Sequence, residues 1–289
     1  MADIQTLPFT GSGGSVLPPY QAMVPGQYIR SPSGQYTLVM QADGNLVMYD
    51  NYAAKAVWVA DQSAAYSSTT VARRETYTHV YMQYYLTLID LVKGRRWDSR
   101  PDSYDLKDTG IGLRAFLQIQ DDGNLVTNLR NALWASNTSI PLVMAGDVTI
   151  LAPGTSLVPG HFYTCGDVRL IFQADGNLVL YGANDSVLWA SYTQNKGATQ
   201  AVLQTDGNLV IYTSTGVAVW NSGTAGQPGA FLQIQRTGSI VIVREKPVWA
   251  RFGYTPTIVS RPVFYPKNTD PLTNSQGPYP TYGHIGYEF

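Results

Sequence analysis

Gln41-Ala-Asp-Gly-Asn-Leu-Val-Met-Tyr49, Gln173-Ala-Asp-Gly-Asn-Leu-Val-Leu-Tyr181 and Gln204-Thr-Asp-Gly-Asn-Leu-Val-Ile-Tyr212 are three copies of one phrase, Q-x-D-x-N-x-V-x-Y. Its constant residues recur at every second position, the side-chain period of a β-strand. Gln, Asp, Asn, Val and Tyr are therefore expected on one face, with Leu and its aliphatic neighbours on the other. The central Asp-Gly-Asn is a turn signal, because Gly takes positive φ freely and Asp and Asn tolerate it. Each phrase reads as a hairpin folded about Gly44, Gly176 or Gly207. Amide, carboxylate and phenol groups then surround one small apolar contact, a shallow site suited to a polyol.

Degenerate copies complete the series. Gln120-Asp-Asp-Gly-Asn-Leu-Val-Thr-Asn128 keeps Gln120, Asp122, Asn124 and Val126 but has Asn128 where Tyr is expected. Gln83 is followed by Tyr85 and Thr87, and Gln235 by Thr237 and Ser239, so these copies have lost the polar set. The last three copies start at 173, 204 and 235, a spacing of 31 residues that marks a repeated supersecondary unit. A tryptophan follows each copy: Trp58, Trp97 and Trp134 in the first half, Trp189, Trp220 and Trp249 in the second. One large ring per repeat is expected to converge on a common centre if three sheets surround an axis.

Val24-Pro25-Gly26 and Val158-Pro159-Gly160 recur 134 residues apart, each after an apolar, proline-containing lead (Val16-Leu17-Pro18 and Ile150-Leu151-Ala152-Pro153). The chain therefore divides into domains over 1–145 and 146–252, with a C-terminal extension over 253–289. The linker near 140–148 is short, and the segment 62–112 is longer than the repeat allows and is expected to carry an insertion.

Composition narrows the function. Hydrophobic residues make up 44% and charged residues 13%, with a formal net charge of -1, which argues against nucleic-acid binding. Short apolar runs alternate with Gly, Asn, Asp, Pro and Ser clusters, as in an all-β chain. Met1 to Phe9 has neither a basic start nor an apolar core, so release without a cleavable signal peptide is expected if the protein is secreted. The single cysteine, Cys165, excludes an internal disulfide, and His79, His161 and His284 show no metal-ligand or triad spacing. No phosphate-binding loop, G-x-S-x-G or H-E-x-x-H is present, so neither a cofactor nor a metal nor a catalytic role is expected.

Repeated Q-x-D-x-N-x-V-x-Y with a following Trp resembles the monocot mannose-binding lectins, or bulb-type B-lectins, over roughly residues 16 to 250. The resemblance implies an all-β protein of tandem β-prism II domains, each of three four-stranded sheets, with a terminal strand exchanged between domains. It also implies sugar contacts: Asp175 and Asn177 on the 2-hydroxyl, Gln173 on the 3-hydroxyl, Tyr181 on the 4-hydroxyl and Val179 on the ring edge. Asp206, Asn208, Gln204, Tyr212 and Val210 repeat those roles, as do Asp43, Asn45, Gln41, Tyr49 and Val47. Gln120, Asp122, Asn124 and Val126 lack the phenol, which puts that site in doubt. Asp and Asn also bond the backbone near turns, so a purely structural role is the alternative; sugar binding is the favoured reading, above all for the two C-terminal copies.

The tandem layout, the segment Glu245-Lys-Pro-Val-Trp-Ala-Arg-Phe-Gly253 and the tail look like the lectin-like bacteriocins of Pseudomonas. That resemblance implies binding of D-rhamnose or mannose polysaccharide in the lipopolysaccharide of related Gram-negative bacteria. It also implies killing from outside through the outer-membrane insertase BamA of the target cell. A non-toxic mannose-binding lectin for adhesion or storage is the alternative. A glycan-cleaving enzyme is disfavoured, because Asp43, Asp175 and Asp206 lie in separate repeats without a second carboxylate to pair with. The tail is rich in Tyr and Pro, which suits an extended segment laid over a surface or against a receptor.

Overall fold

The computed structural model describes residues 7–60, 78–82, 85–90, 94–99, 114–138, 148–252, 261–266 and 280–288. Nearly all of the linker near 140–148, Gln83 of the first degenerate copy and most of segment 62–112 fall outside the described residues. By contacts the chain forms two compact units: residues 1–129, 246–260 and 289, and residues 130–245 and 261–288. The repeat-based boundaries at 145/146 and 252/253 run straight along the chain, whereas the units exchange segments.

In the first unit, β1 (Leu7–Pro8) pairs with β3 (Gln21–Met23), while β2 (Val16–Leu17) joins another sheet. One four-stranded sheet runs in order through β4 (Tyr28–Arg30), β5 (Tyr36–Met40), β6 (Leu46–Asp50) and β7 (Lys55–Val59). A second has the order β1-β3-β8-β9-β10, with β8 (Thr78–Met82), β9 (Leu86–Asp90) and β10 (Gly94–Asp98). The third is built from β2, β11 (Ala115–Ile119), the start of β12 (Leu125–Ala135) and, from far along the chain, the end of β23 (Ser239–Ala250).

The second unit repeats the plan. After β13 (Val148–Leu151), the strand β14 (Ser156–Leu157) forms a four-stranded sheet with β19 (Ala198–Leu203), β20 (Leu209–Thr213) and β21 (Ala218–Asn221). Another consists of β15 (Phe162–Cys165), β16 (Val168–Phe172), β17 (Leu178–Tyr181) and β18 (Val187–Ala190) in sequence order. The third comprises β13, β22 (Phe231–Gln235), the start of β23 and the end of β12.

The alternation expected from the phrase is present. Leu178 and Leu180 lie in the main core of the second unit, whereas Val179 sits on the other face of the sheet in a small cluster with Ile171, Ala190 and Tyr181. The tryptophans converge three to a unit, but not as sequence order suggests. Trp134 packs edge-to-face against Trp189 and Trp220 at 5.5 and 5.6 Å, and Trp97 meets Trp58 and Trp249 at 5.3 and 5.9 Å. Trp134 and Trp249 thus change places relative to the half-by-half assignment, because β12 and β23 each begin in one unit and end in the other. This is the strand exchange that the resemblance implies.

The exchanged end of β12 is held by side chains as well as by its ring. Ser136 Oγ accepts from Ile240 N at 3.1 Å, and Thr138 Oγ1 donates to Gly238 O at 2.6 Å. Arg130 Nε donates to Glu245 at 2.6 Å in a buried ion pair, while the Arg130 guanidinium lies 6.0 Å from the Phe231 ring. Such a pair is costly to break on one side, because the survivor is left charged and desolvated.

The tail forms a hairpin, β24 (Arg261–Pro266) with β25 (Tyr282–Glu288), and β25 pairs with β13 at Ile150 and Tyr282. Phe264, Tyr282 and Ile285 pack on Val148, Ile150, Phe231, Val241 and Val243, the outer face of the second unit's third sheet. Covering a domain, one of the two tasks considered for the tail, is therefore seen directly. This is also the sheet whose repeat, at Gln235, has lost its polar set, and Gln235 and Ser239 are fully buried.

Candidate carbohydrate site

Each intact phrase is a tight turn between two strands. Gln173 N donates to Asn177 O at 2.8 Å and Gly176 N to Gln173 O at 3.0 Å, with Gly176 at φ 84°. A side chain there would be strained and would also meet Ala198 O at 2.6 Å, so only glycine fits. Asp175 Oδ1 accepts the Asn177 backbone N–H at 2.9 Å, as Asp206 does from Asn208 at 3.0 Å and Asp43 from Asn45 at 2.9 Å. The turn-stabilising role of the aspartate thus uses one carboxylate oxygen and leaves the second.

Across the hairpin, Gln173 Nε2 donates to the Tyr181 hydroxyl at 2.9 Å and Gln204 Nε2 to the Tyr212 hydroxyl at 3.0 Å. Gln41 and Tyr49 make the same bond. A phenol that accepts from the amide has its own proton left to donate, and the glutamine carbonyl oxygen is left to accept. A bulge recurs at every tyrosine: the register to the following strand shifts at Leu180/Tyr181, Ile211/Tyr212 and Met48/Tyr49. Bulges re-aim a side chain, and here they set the phenol beside the turn. The valines form the floor, with Val47, Val179 and Val210 only 1%, 3% and 2% exposed.

The asparagines are held by residues that the sequence reading did not single out. Ser191 Oγ accepts from Leu178 N and donates to Asn177 Oδ1, both at 3.0 Å, and Thr193 N donates to the same oxygen at 3.2 Å. Ser222 and Thr224 treat Asn208 identically, at 3.0 and 3.2 Å. With its oxygen taken up in this way, each of these two asparagines has its amide N–H groups as its donors. The signal was legible, since Trp189 and Trp220 are both followed by x-Ser-x-Thr. Trp58 is followed by Val59-Ala60, and in that copy Asn45 Oδ1 accepts instead from Leu46 N at 3.0 Å. The first site keeps its Gln, Asp and Tyr and lines a depression of about 390 Å³ with Gly26, Val39 and Met40, yet holds its asparagine differently.

The copy at 120–128 is closed. Gln120, Asn124, Val126 and Asn128 are at most 3% exposed, and only Asp122 of that set reaches solvent, its Oδ1 accepting from Asn124 N at 2.8 Å. The Tyr36 ring lies over Gly123, so close that an added Cβ would stand 2.9 Å from it. Arg251 takes the serine position and donates to Gly123 O at 2.6 Å and Val57 O at 2.7 Å, and Phe252 N donates to Asn124 Oδ1 at 3.3 Å. Burial pushes the Arg251 guanidinium below its usual range.

Cys165 is buried in the main core of the second unit. His161 stacks edge-on against Tyr163 at 4.7 Å, with its pKa lowered by burial. Among the described residues no group of three or more His, Cys, Asp or Glu is placed to hold a metal ion.

No sequence-family model matches the chain, and no curated protein matches it. Solved structures do. The fetuin-binding two-domain lectin of Scilla campanulata is 23% identical, covers 82% of this chain over 100% of its own length and has a TM-score of 0.51. The mannose-specific agglutinin of snowdrop, Galanthus nivalis, solved with methyl-α-D-mannoside, is 34% identical over 37% of this chain and 98% of its own, with a TM-score of 0.32. A monomeric monocot mannose-binding lectin of Gastrodia elata is 37% identical over 35% of this chain and 92% of its own, at 0.30. The neighbours are β-prism II lectins, and the fold of this chain is the tandem β-prism II.

Proposed function

We propose that this protein is a bulb-type lectin that binds mannose-type hexoses, without catalysis, at the motifs ending in Tyr181 and Tyr212 and at that ending in Tyr49. The observation that carries the reading is the division of hydrogen-bonding capacity in the turns at Asp175 and Asp206. One oxygen of Asp175 and the oxygen of Asn177 serve the turn, while a carboxylate oxygen, an amide N–H pair, a glutamine carbonyl and a phenol proton remain. Sugar hydroxyls give and take hydrogen bonds and match that mixed set. A single shallow site of this kind binds with a Kd on the order of millimolar. Several sites meeting a repeating polysaccharide gain about 10²- to 10⁴-fold by avidity.

Within that reading the protein is a secreted lectin-like bacteriocin. It grips D-rhamnose or mannose polysaccharide in the lipopolysaccharide of related Gram-negative bacteria and kills from outside, with the insertase BamA as its protein target. The extension beyond the last repeat supports this over a plain adhesion lectin. Two measurements test the proposal. Asp175→Ala with Asn177→Ala and Asp206→Ala with Asn208→Ala together should lower retention on immobilised mannan or rhamnan at least tenfold, and undiminished retention would overturn sugar binding at these turns. Purified protein spotted on lawns of a broad panel of pseudomonads should clear some of them. No clearing anywhere sinks the bacteriocin reading and leaves the lectin reading standing.

A further inference from the structure

Beyond Tyr181 the same sheet carries a feature that the repeat motif does not account for. Arg169 lies directly across from Tyr181 in the β16–β17 pairing, its guanidinium 6.0 Å from the Tyr181 ring and 5.3 Å from the ring of Phe162. Phe162 is a large apolar side chain left 43% exposed. Arg169 also lines a cavity of about 390 Å³ with Gly166, Asp167, Gly182 and Asn184, a size within the roughly 300–1,000 Å³ typical of small-molecule sites. On its far side Asn184 and Asp185 both adopt left-handed backbone conformations, at φ 54° and 57°, and Asp185 pairs with Arg169. Asn and Asp are the side-chain-bearing residues that tolerate this region best, so together they form a tight turn at the rim.

The first unit rebuilds the pairing from different positions. Arg30 stands 5.3 Å from the Tyr28 ring and donates through Nε at 3.3 Å to Thr37, the residue across from Tyr49. Beside Tyr212 the cross-strand residue is Gln200.

We propose that Phe162, Arg169 and the cavity between Asp167 and Asn184 form a second saccharide subsite, which takes the neutral pyranose linked to the one held by Gln173, Asp175, Asn177 and Tyr181. An exposed ring beside a fixed guanidinium offers an apolar platform for a sugar face and donors for its hydroxyls. Asp167 and Asp185 stand against Arg169 and Arg236, whose side chain lies at Gly166, so the rim carries no net charge and offers no net attraction to an anionic sugar. The inference rests on the sugar-binding reading of the 173–181 motif.

The test uses the full chain with Asp43→Ala and Asp206→Ala, which isolates the 173–181 site. Methyl α-mannoside and α1,2-, α1,3- and α1,6-linked mannobiose are titrated calorimetrically. At least one disaccharide should bind about tenfold more tightly than the monosaccharide. Adding Phe162→Ala and Arg169→Gln should erase that gain while leaving the monosaccharide within twofold, and Phe162→Tyr should keep it. Equal affinity for mono- and disaccharides, or a gain that survives both substitutions, overturns the subsite alone. Absence of binding by any of the four sugars overturns the primary site with it.

Discussion

The hydroxyl of Ser191 joins the Leu178 backbone N–H to the Asn177 carbonyl oxygen. Removing it strands a buried donor and leaves the Thr193 N–H to hold the asparagine oxygen alone among these partners. Ser191→Ala should therefore cost about 1–3 kcal/mol of stability and weaken sugar binding at the 173–181 turn several-fold, read by thermal melting and by calorimetric titration of methyl α-mannoside. Stability lost with affinity intact would mean that Asn177 does not touch sugar. Gln, Asp, Asn, Val and Tyr were legible because they repeat at the strand period. The serine and threonine lie fourteen and sixteen residues beyond Asn177, just past β18; the repeated Trp-x-Ser-x-Thr makes them visible in the sequence, but their partner is visible only in the fold. The closure of the copy at 120–128 was half legible: its missing phenol could be read, but the Tyr36 ring over Gly123 is a tertiary contact from a distant strand.

At the scale of strands, β12 and β23 each serve two cores, and their tryptophans report which core depends on which segment. Trp134→Ala should destabilise the second unit and Trp249→Ala the first, each by about 3 kcal/mol, the low end for truncating a buried tryptophan because the rings are only half-buried. Hydrogen exchange resolved along the chain measures this: protection should fall in 148–245 for the first variant and in 16–129 for the second. A loss confined to the half in which the mutated residue is written would contradict the exchange. The hairpins and the ring per repeat followed from periodicity and turn residues, whereas the three sheets to a domain were implied by the resemblance. The crossing of the two strands did not, since Trp134 fits its own half's repeat as well as the other's, and only the resemblance pointed to it.

For the molecule as a whole, the tail hairpin closes the apolar face made by Val148, Ile150, Phe231, Val241 and Val243. Deleting residues 253–289 should cost several kcal/mol: full burial of a large apolar side chain contributes roughly 1.5–3 kcal/mol, and Ile285 is buried here while Phe264 and Tyr282 are partly so. It also bares the β13 edge to other chains. Light scattering should show association while monosaccharide affinity at the 173–181 turn, which lies on another sheet, stays within twofold; a monodisperse, equally stable truncation would assign the tail elsewhere. The exchanged strands have a further consequence, for the order of biogenesis. The first unit takes its closing strand from residues 246–250, and Arg251 reaches back to Leu125 and Gly123. Domains usually fold from the N-terminus as they leave the ribosome, but here the N-terminal unit waits for nearly the whole repeat region to be translated. The two halves therefore mature together, and a chain arrested after the first three repeats would carry an open sheet in search of a partner.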